Sequence, residues 1–583
     1  MPHRPAALPY SEPNISTILT FASFLLLLNS INYVLDRTLY CGLVGQILLG
    51  TAWGAPGADW LPRAAQETIT QLGYLGLILV VYEGGLSTNL PTLKANLPLS
   101  ASVAVTGISA PIALSFALQP LLPHTSPVQV FAAGAALCST SLGTTFTVLA
   151  TSGLSDSRLG VVLTSAAMLD DVAGLVMVQV ISALGRGSHF DAVEVVRPVC
   201  VSVAFAVLLP LLGLCVVKPV VRRYRRDANA AGRSPEGSRL RDLLARAEFA
   251  VLFHAAVLLA LVAGASYAGT SDLFAAYLAG VSISWWDGYL AELGSERQRL
   301  AVVPQRPSSP ANSAAQSTLE PRLAVSENAQ ETTGTEDVSR STGVAVYKRY
   351  YAPAVRAILK PFFFASIGFS IPVTKMFSGG VVWRGVVYAA LMAVGKLLCG
   401  LCLVRIEGLP LLKIGCWPFF RTHAAESSAA EKTAPSATDA GIAPRDDEII
   451  QPTAAADREN EAPAPRTSSA TQANSSSRKG AAPPKPRSLY PATMLGSAMM
   501  ARGEIGFLIA SVAESSGVYS SGSGETSSEL YLVVTWAVLL CTIVGPVAVG
   551  LLVKRVRRLQ ALERSESTGR ADPLGVWGVV GSL

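Results

Sequence analysis

The sequence predicts an all-α polytopic membrane protein with about thirteen transmembrane helices. Half of the 583 residues are hydrophobic, only 15% are charged and the mean hydropathy is +0.41. A water-soluble globular protein could not bury so many apolar side chains behind so few charged ones. Runs of about 20 mostly apolar residues, the length that crosses a hydrocarbon core, recur along most of the chain. A soluble protein of buried helices is the alternative, but 201–217 and 530–553 lack the polar stripe its helices would carry.

The apolar runs set the predicted order of spans and loops. Two stretches, 288–350 and 405–490, contain too few large apolar residues to offset the entropy of ordering, so we expect both to be disordered cytoplasmic loops. The remaining predicted parts are a membrane domain at 1–287, 351–404 and 491–553, and a cytoplasmic tail at 554–583. The predicted spans are 16–36, 39–54, 68–86, 97–119, 128–150, 159–184, 196–217, 248–268, 271–287, 354–377, 381–404, 491–517 and 529–553.

The net charge of +6 arises from short basic clusters beside apolar spans, which indicates orientation in a membrane rather than a nucleic-acid partner. Because cytoplasmic loops are rich in Lys and Arg, the cluster from Arg222 to Arg226 predicts a cytoplasmic location there and an external N-terminus. The eight cysteines show no metal-ligand spacing. The sequence also lacks the glycine-rich phosphate loop GxxxxGK[ST] of a primary pump.

Two adjacent carboxylates, Asp170 and Asp171, lie in the middle of the apolar segment AAMLDDVAGL. One Asp at the centre of a spanning helix costs about 2.5–3.5 kcal/mol, so the pair requires partners, water or bound cations. Adjacent helical positions point about 100° apart, so one carboxylate can face an ion path while the other pairs elsewhere. We predict that Asp171 binds a monovalent cation or a proton; a purely structural pair is the alternative.

Lys396 lies in the middle of the predicted span 381–404, where its ammonium is far from either membrane interface. A buried ammonium requires a carboxylate, and Asp170 is the predicted partner. The alternative is that the span boundary is misplaced and Lys396 lies near a headgroup.

Two segments have the composition of interrupted helices. The segment CSTSLGTTFT at 138–147 contains Thr140 and Ser141, whose hydroxyls we predict to bind the ion together with the two aspartates. The segment MARGEIGF at 500–507 contains Arg502 and Glu504, which we predict to compensate the dipole ends of a broken helix. Hydroxyl residues also serve helix packing in membranes, so single hydroxyls are weak indicators.

Glu83, in VVYEGGL, is a further acidic residue beside glycines. It is assigned to the same charge compensation, through a pair with Arg502, or to a membrane interface. His254 is the one histidine within a predicted span, and a hydrogen-bonded core role is favoured over a proton-sensing role.

Taken in order, several motifs resemble the monovalent cation/proton antiporter superfamily, in particular its second branch of sodium/proton and potassium/proton exchangers in a fungal-type version. The resemblance covers most of 15–287 and 350–553. The motifs are LYCGLVGQILLG at 39–50, LGYLGLILVVYEGGL at 72–86, the pair Asp170–Asp171, PFFFASIGFSIP at 361–372, GKLLCG at 395–400 and ARGEIGFLIAS at 501–511.

The resemblance implies two inverted repeats with crossed discontinuous helices in a core domain, beside a dimerisation domain, and therefore a homodimer. It implies that Asp171 carries the cation or proton in alternation and that Asp170 pairs with Lys396. Family members with two acidic residues at this position tend to be electrogenic, so the chain is expected to be electrogenic.

The sequence therefore predicts a secondary antiporter, not an enzyme, that exchanges Na⁺ or K⁺, and also Li⁺, for protons without a cofactor. A cation channel and a non-transporting membrane scaffold are the alternatives, and the buried charges argue against the scaffold. Plasma membrane, vacuole and other endomembranes are all open as its location.

Overall fold

The computed structural model describes residues 12–39, 41–88, 90–122, 125–141, 154, 157–185, 192–223, 247–301, 342–404, 489–519, 528–565 and 573–578. These residues form helices joined by short turns, and no strand occurs among them. Nine of their helices are long and apolar enough to cross a membrane. The predicted all-α fold is confirmed, and the chain is an integral multi-pass membrane protein.

The larger helices are α1 (Ile15–Leu39), α2 (Gly42–Trp53), α3 (Arg63–Leu86), α4 (Leu90–Ser115), α5 (Pro127–Ala136), α6 (Arg158–Leu184), α7 (Ala192–Leu212), α8 (Ala247–Ala268), α9 (Asp272–Ala301), α10 (Gly343–Phe369), α11 (Gly379–Leu397), α12 (Tyr490–Ala498), α13 (Glu504–Ser515) and α14 (Glu529–Ser565). A π turn at Gly213–Val217 continues α7 to residue 223, and a 3₁₀ segment, Leu398–Leu403, extends α11. The short helix Val373–Met376 lies between α10 and α11. Twelve of the thirteen predicted spans overlap one long helix or, at 491–517, the pair α12 and α13. Of the span 128–150, α5 occupies the first part, and residues 142–150 lie outside the described chain.

The first predicted loop is shorter than expected. Helix α9 continues from 287 to Ala301 and α10 begins at Gly343, so the prediction of disorder was wrong at 288–301 and 343–350. Hydropathy marks only the apolar part of a helix, whereas both helices extend through charged residues. Asp287 also fixes the start of α10, because its Oδ2 accepts a hydrogen bond from the Gly343 N–H at 2.6 Å. The rest of this loop, and 405–488 of the second, lie outside the described residues.

The membrane helices form two bundles that contact each other sparsely. The panel bundle consists of α1, α2, α3, α8, α9 and α10, and the core bundle of α4, α5, α6, α11, α12, α13 and α14. Helix α7 contacts α6 on one side and α9 on the other. Sparse packing between two internally tight bundles permits relative movement, since fewer contacts must be broken.

Small residues bring the panel helices close together. Gly85 of α3 packs on α9, where an added Cβ would lie 2.2 Å from the Tyr277 carbonyl oxygen. Gly50 of α2 is equally close to α10, at 2.2 Å from the Ala365 carbonyl oxygen. Without a hydrophobic driving force in lipid, such close backbone approach is a main source of helix association.

The core bundle contains two sets of three segments in the same order. Each set has a continuous helix, an interrupted one and another continuous helix: α4, α5, α6 and then α11, α12 with α13, α14. Helix α4 packs on α11, and α12 packs on both α6 and α14. This order places the two interruptions together at the centre of the bundle.

Candidate functional site at the crossing of two interrupted helices

Helix α5 starts at a strong local signal and ends inside the core. Ser126 and Gln129 form a capping box, with Pro127 as the first helical residue. The helix ends at Ala136, and residues 137–141 leave the helical path. The predicted interruption at 138–147 is thus present over 138–141, and its remaining residues lie outside the described chain.

The second interruption separates α12 from α13 at residues 499–503. It crosses the first, because the Ser141 N–H donates to the Ala501 carbonyl at 2.8 Å. Gly503 makes the crossing possible, since an added Cβ would lie 2.6 Å from Ser141 Oγ. Backbone groups freed by the two breaks thereby satisfy one another, as they must where water is scarce.

A buried ion pair lies beside the crossing. Lys396 Nζ of α11 is 2.8 Å from Asp170 Oδ2 of α6, and both side chains have no exposed surface. The ammonium also donates to Thr140 Oγ1 at 3.0 Å and to the Cys138 carbonyl. Thr140 Oγ1 in turn lies 2.5 Å from Asp170 Oδ2. The structure thus places Asp170 and Lys396 within ion-pair distance, with the Thr140 hydroxyl in contact with both.

Asp171 faces a different environment from its neighbour. Its Oδ1 accepts a hydrogen bond from Ser139 Oγ at 3.1 Å, and its side chain is half-buried. Within the described part of the chain it forms no ion pair with a cationic side chain. The two adjacent carboxylates therefore differ in their surroundings. Asp170 is neutralised by Lys396, whereas the described partner of Asp171 is the neutral hydroxyl of Ser139.

Arg502 supplies positive charge at the end of α5. Its side chain is completely buried, and Nη1 donates to the carbonyls of Ser139 at 2.7 Å and Cys138 at 3.3 Å. Carbonyls at a helix C-terminus carry partial negative charge, which a cation stabilises. Thr542 Oγ1 of α14 is 3.2 Å from the Arg502 carbonyl oxygen and can donate to it. This geometry places the Arg502 charge at the C-terminal end of α5, and its compensating role stays a prediction.

Glu504 and Glu83, which were predicted to share this role, lie in different places. Glu504 is the first residue of α13, where a carboxylate complements the positive end of the helix dipole. Glu83 does not pair with Arg502; its Oε1 lies 3.4 Å from Arg356 of α10, at an exposed position. The prediction for Glu83 was wrong because α3 belongs to the panel bundle and the broken helices to the core.

Ser139 and Gly174 are site residues that the sequence reasoning missed. Ser139 is one of several hydroxyl residues in a non-helical turn, where no periodicity indicates which side chain faces Asp171. Gly174 lies one turn after Asp170 and Asp171 on α6, and its missing side chain leaves room for Ser139. A glycine three residues after a buried acidic pair was the available signal.

Replacing Gly174 with alanine is expected to reduce the activity of the site by about tenfold with a stability loss of about 1–3 kcal/mol. The new Cβ would lie 3.0 Å from Ser139 Cβ and 3.0 Å from Ile505 Cγ2, so Ser139 must move away from Asp171. Transport and thermal unfolding of the purified variant measure the two effects. Gly264→Ala in α8 is the matched control, because nothing lies within 4 Å of its added Cβ. Equal behaviour of the two variants would contradict the prediction.

Comparisons with known proteins agree with this arrangement. Residues 22–297 match the family described as sodium/hydrogen exchanger, transmembrane. The chain is 32% identical over 172 residues to the high-affinity Na(+)/H(+) antiporter NhaS3 of Synechocystis, covering 29% of this chain and 37% of that protein. It is 27% identical over 181 residues to the Na(+)/H(+)-K(+) antiporter GerN of Bacillus cereus, covering 31% of this chain and 45% of that protein. The chain therefore matches less than half the length of each relative.

A solved structure also aligns with the chain: the sodium proton antiporter MjNhaP1 from Methanocaldococcus jannaschii at pH 8. The alignment covers 92% of this chain and 98% of that one, with a TM-score of 0.47 and 12% sequence identity.

The fold and the site define the class as a polytopic helical membrane protein in which two breaks in helices meet at a charged centre. Within that class, residues 22–297 are similar to the sodium/hydrogen exchanger family.

Proposed function

We propose that the protein is a secondary active antiporter that exchanges Na⁺ or K⁺ for protons, with Asp171 binding cation and proton in turn. The observation that carries this proposal is the contrast between two adjacent carboxylates. Asp170 is neutralised by Lys396 at 2.8 Å, whereas among the described residues Asp171 accepts one hydrogen bond, from the neutral hydroxyl of Ser139. A half-buried carboxylate without a fixed counterion can take a proton or a metal cation, and one bound species excludes the other.

The two bundles supply the movement that exchange requires. An unoccupied Asp171 carries a negative charge that is costly to move through the membrane interior, whereas a bound proton or cation neutralises it. Only the occupied core bundle would then move past the panel bundle, exposing Asp171 to one side of the membrane at a time. This condition couples the two ions, because neither can return without the other.

Oxygen ligands at the crossing suit hard monovalent cations. The Asp171 carboxylate and the Ser139 hydroxyl lie together, and the names of the two similar antiporters include sodium in both cases and potassium in one. These observations support Na⁺ and K⁺ as the exchanged cations, and the same ligands suit Li⁺. The choice among them depends on small differences in cavity geometry and ligand number.

We further propose that exchange is electrogenic and that the protein functions as a homodimer. Protonation that breaks the Asp170–Lys396 pair would add a second proton to the one on Asp171, and release of both protons for one bound cation moves net charge. The resemblance to dimeric exchangers and the separate panel bundle support the homodimer.

Reconstitution into liposomes that contain a pH-sensitive dye tests the proposed function. Addition of NaCl, KCl or LiCl to vesicles with an acidic interior should raise the internal pH only when the protein is present. If exchange is electrogenic, a K⁺/valinomycin clamp of the membrane potential should change the rate in sodium medium. Absence of a dye response to all three cations, or ion currents without proton movement, would exclude the antiporter.

A further inference from the structure

A narrow cleft separates the panel bundle from the core bundle near the second interruption. Two charged side chains face it from opposite walls: Lys360 from α10 of the panel bundle and Glu504 from α13 of the core bundle. The other lining residues are apolar: Leu77, Val80, Phe363 and Phe364. Charges on otherwise apolar walls are weakly screened, so each strongly affects an ion that enters the cleft.

Glu504 links this cleft to the proposed ion site. It directly follows the interruption that crosses at Ser141, and its carboxylate interacts electrostatically with that of Asp171. Glu504 is half-buried, and no ion pair joins it to another described residue. A cation passing through the cleft towards Asp171 would therefore meet the Glu504 carboxylate.

Lys360 lies on the wall of the cleft opposite Glu504, and little nearby negative charge compensates its ammonium. Its Nζ is 6.0 Å from the centre of the Phe364 ring, a weak cation–π contact, and no described carboxylate pairs with it. The other cation of this part of α10, Arg356, lies one turn earlier and is already paired with Glu83. Four rotatable side-chain bonds give the Lys360 ammonium a wide reach across a cleft only a few atoms wide.

We propose that Lys360 sets the cation affinity of the exchanger, its ammonium acting as a tethered competitor of the transported cation at Glu504. The Lys360 ammonium and an entering Na⁺ or K⁺ compete for the Glu504 carboxylate, and the cation that occupies it proceeds to Asp171. Lys360 is a positioning residue that acts through Glu504. This inference rests on the proposed exchange of monovalent cations.

The test compares Lys360→Gln, Glu504→Gln and the double variant, with Lys348→Gln as the matched control. Lys348 lies on the same helix but is exposed and outside the cleft. The first readout is the cation concentration that half-saturates exchange. The second is the cation concentration that half-saturates thermal stabilisation of the purified protein, an equilibrium measure that does not require transport.

Lys360→Gln is expected to lower both half-saturating concentrations by about three- to tenfold, the scale of a partly exposed charge pair. The gain should disappear in the Glu504→Gln background, and Lys348→Gln should match the native protein. Unchanged values in Lys360→Gln, an equal gain in Lys348→Gln, or a gain that persists without Glu504 would each overturn the inference. If the native protein binds cations without exchanging them, the proposed function fails, and the thermal measurement still decides the role of Lys360.

Discussion

Cation-driven proton movement is expected to fall at least about 100-fold when Asp171 is replaced by asparagine. Asparagine keeps the size of the side chain and an oxygen that accepts the Ser139 hydrogen bond, so the crossing should keep its geometry. It can neither release a proton nor supply a net negative charge to a cation. The dye assay in liposomes measures the effect, and size-exclusion chromatography checks that the variant is folded.

A second aspartate provides the control for the Asp171 variant. Asp59 lies in the exposed loop between α2 and α3, so Asp59→Asn removes the same charge far from the core bundle. We expect native exchange in this variant. Exchange by Asp171→Asn within a few-fold of the native rate would show that another group carries the ions.

The spans were predictable because hydropathy reports directly on the cost of placing a residue in lipid. The helix ends were less predictable, as α9 and α10 illustrate. Both continue past the apolar region through charged residues such as Glu292 and Lys348. Helices α9 and α10 are joined by the hydrogen bond between Asp287 and the N–H of Gly343. These residues are 56 positions apart in sequence, so no local pattern reveals the contact.

The buried charges of the site were predictable for a related reason. A charge in mid-membrane requires a partner, and few candidates exist, so Asp170 and Lys396 could be matched across 226 residues. Glu83 has a partly exposed side chain, for which a partner is less strictly required, and its pairing with Arg356 was missed. Lys360 was not predicted as a site residue, because only the folded structure shows that it lines the same cleft as Glu504.

Two cations hold the crossing together in different ways. Lys396 joins α6 and α11 to the Cys138 carbonyl, and Arg502 joins the second interruption to the carbonyls of Cys138 and Ser139. The Cys138 carbonyl therefore accepts from both side chains. Rigid fixation of this turn also fixes Ser139, and through Ser139 the orientation of Asp171.

Replacing Lys396 with alanine is expected to lower the free energy of unfolding by about 3–5 kcal/mol, because it leaves the Asp170 carboxylate buried without a counterion. The variant also removes the donor to Thr140 Oγ1 at 3.0 Å and to the Cys138 carbonyl. Thermal unfolding in mild detergent measures the loss.

A second substitution distinguishes two causes of the lost stability: the unpaired charge of Asp170 and the missing packing of the lysine side chain. Asp170→Asn combined with Lys396→Ala removes both charges, so the double variant should recover more than half of the lost stability. Lys375→Ala, which truncates an exposed lysine between α10 and α11, should leave stability unchanged within about 0.5 kcal/mol. If the double variant were no more stable than Lys396→Ala, the lysine would act through packing and hydrogen bonds rather than as the counterion of Asp170.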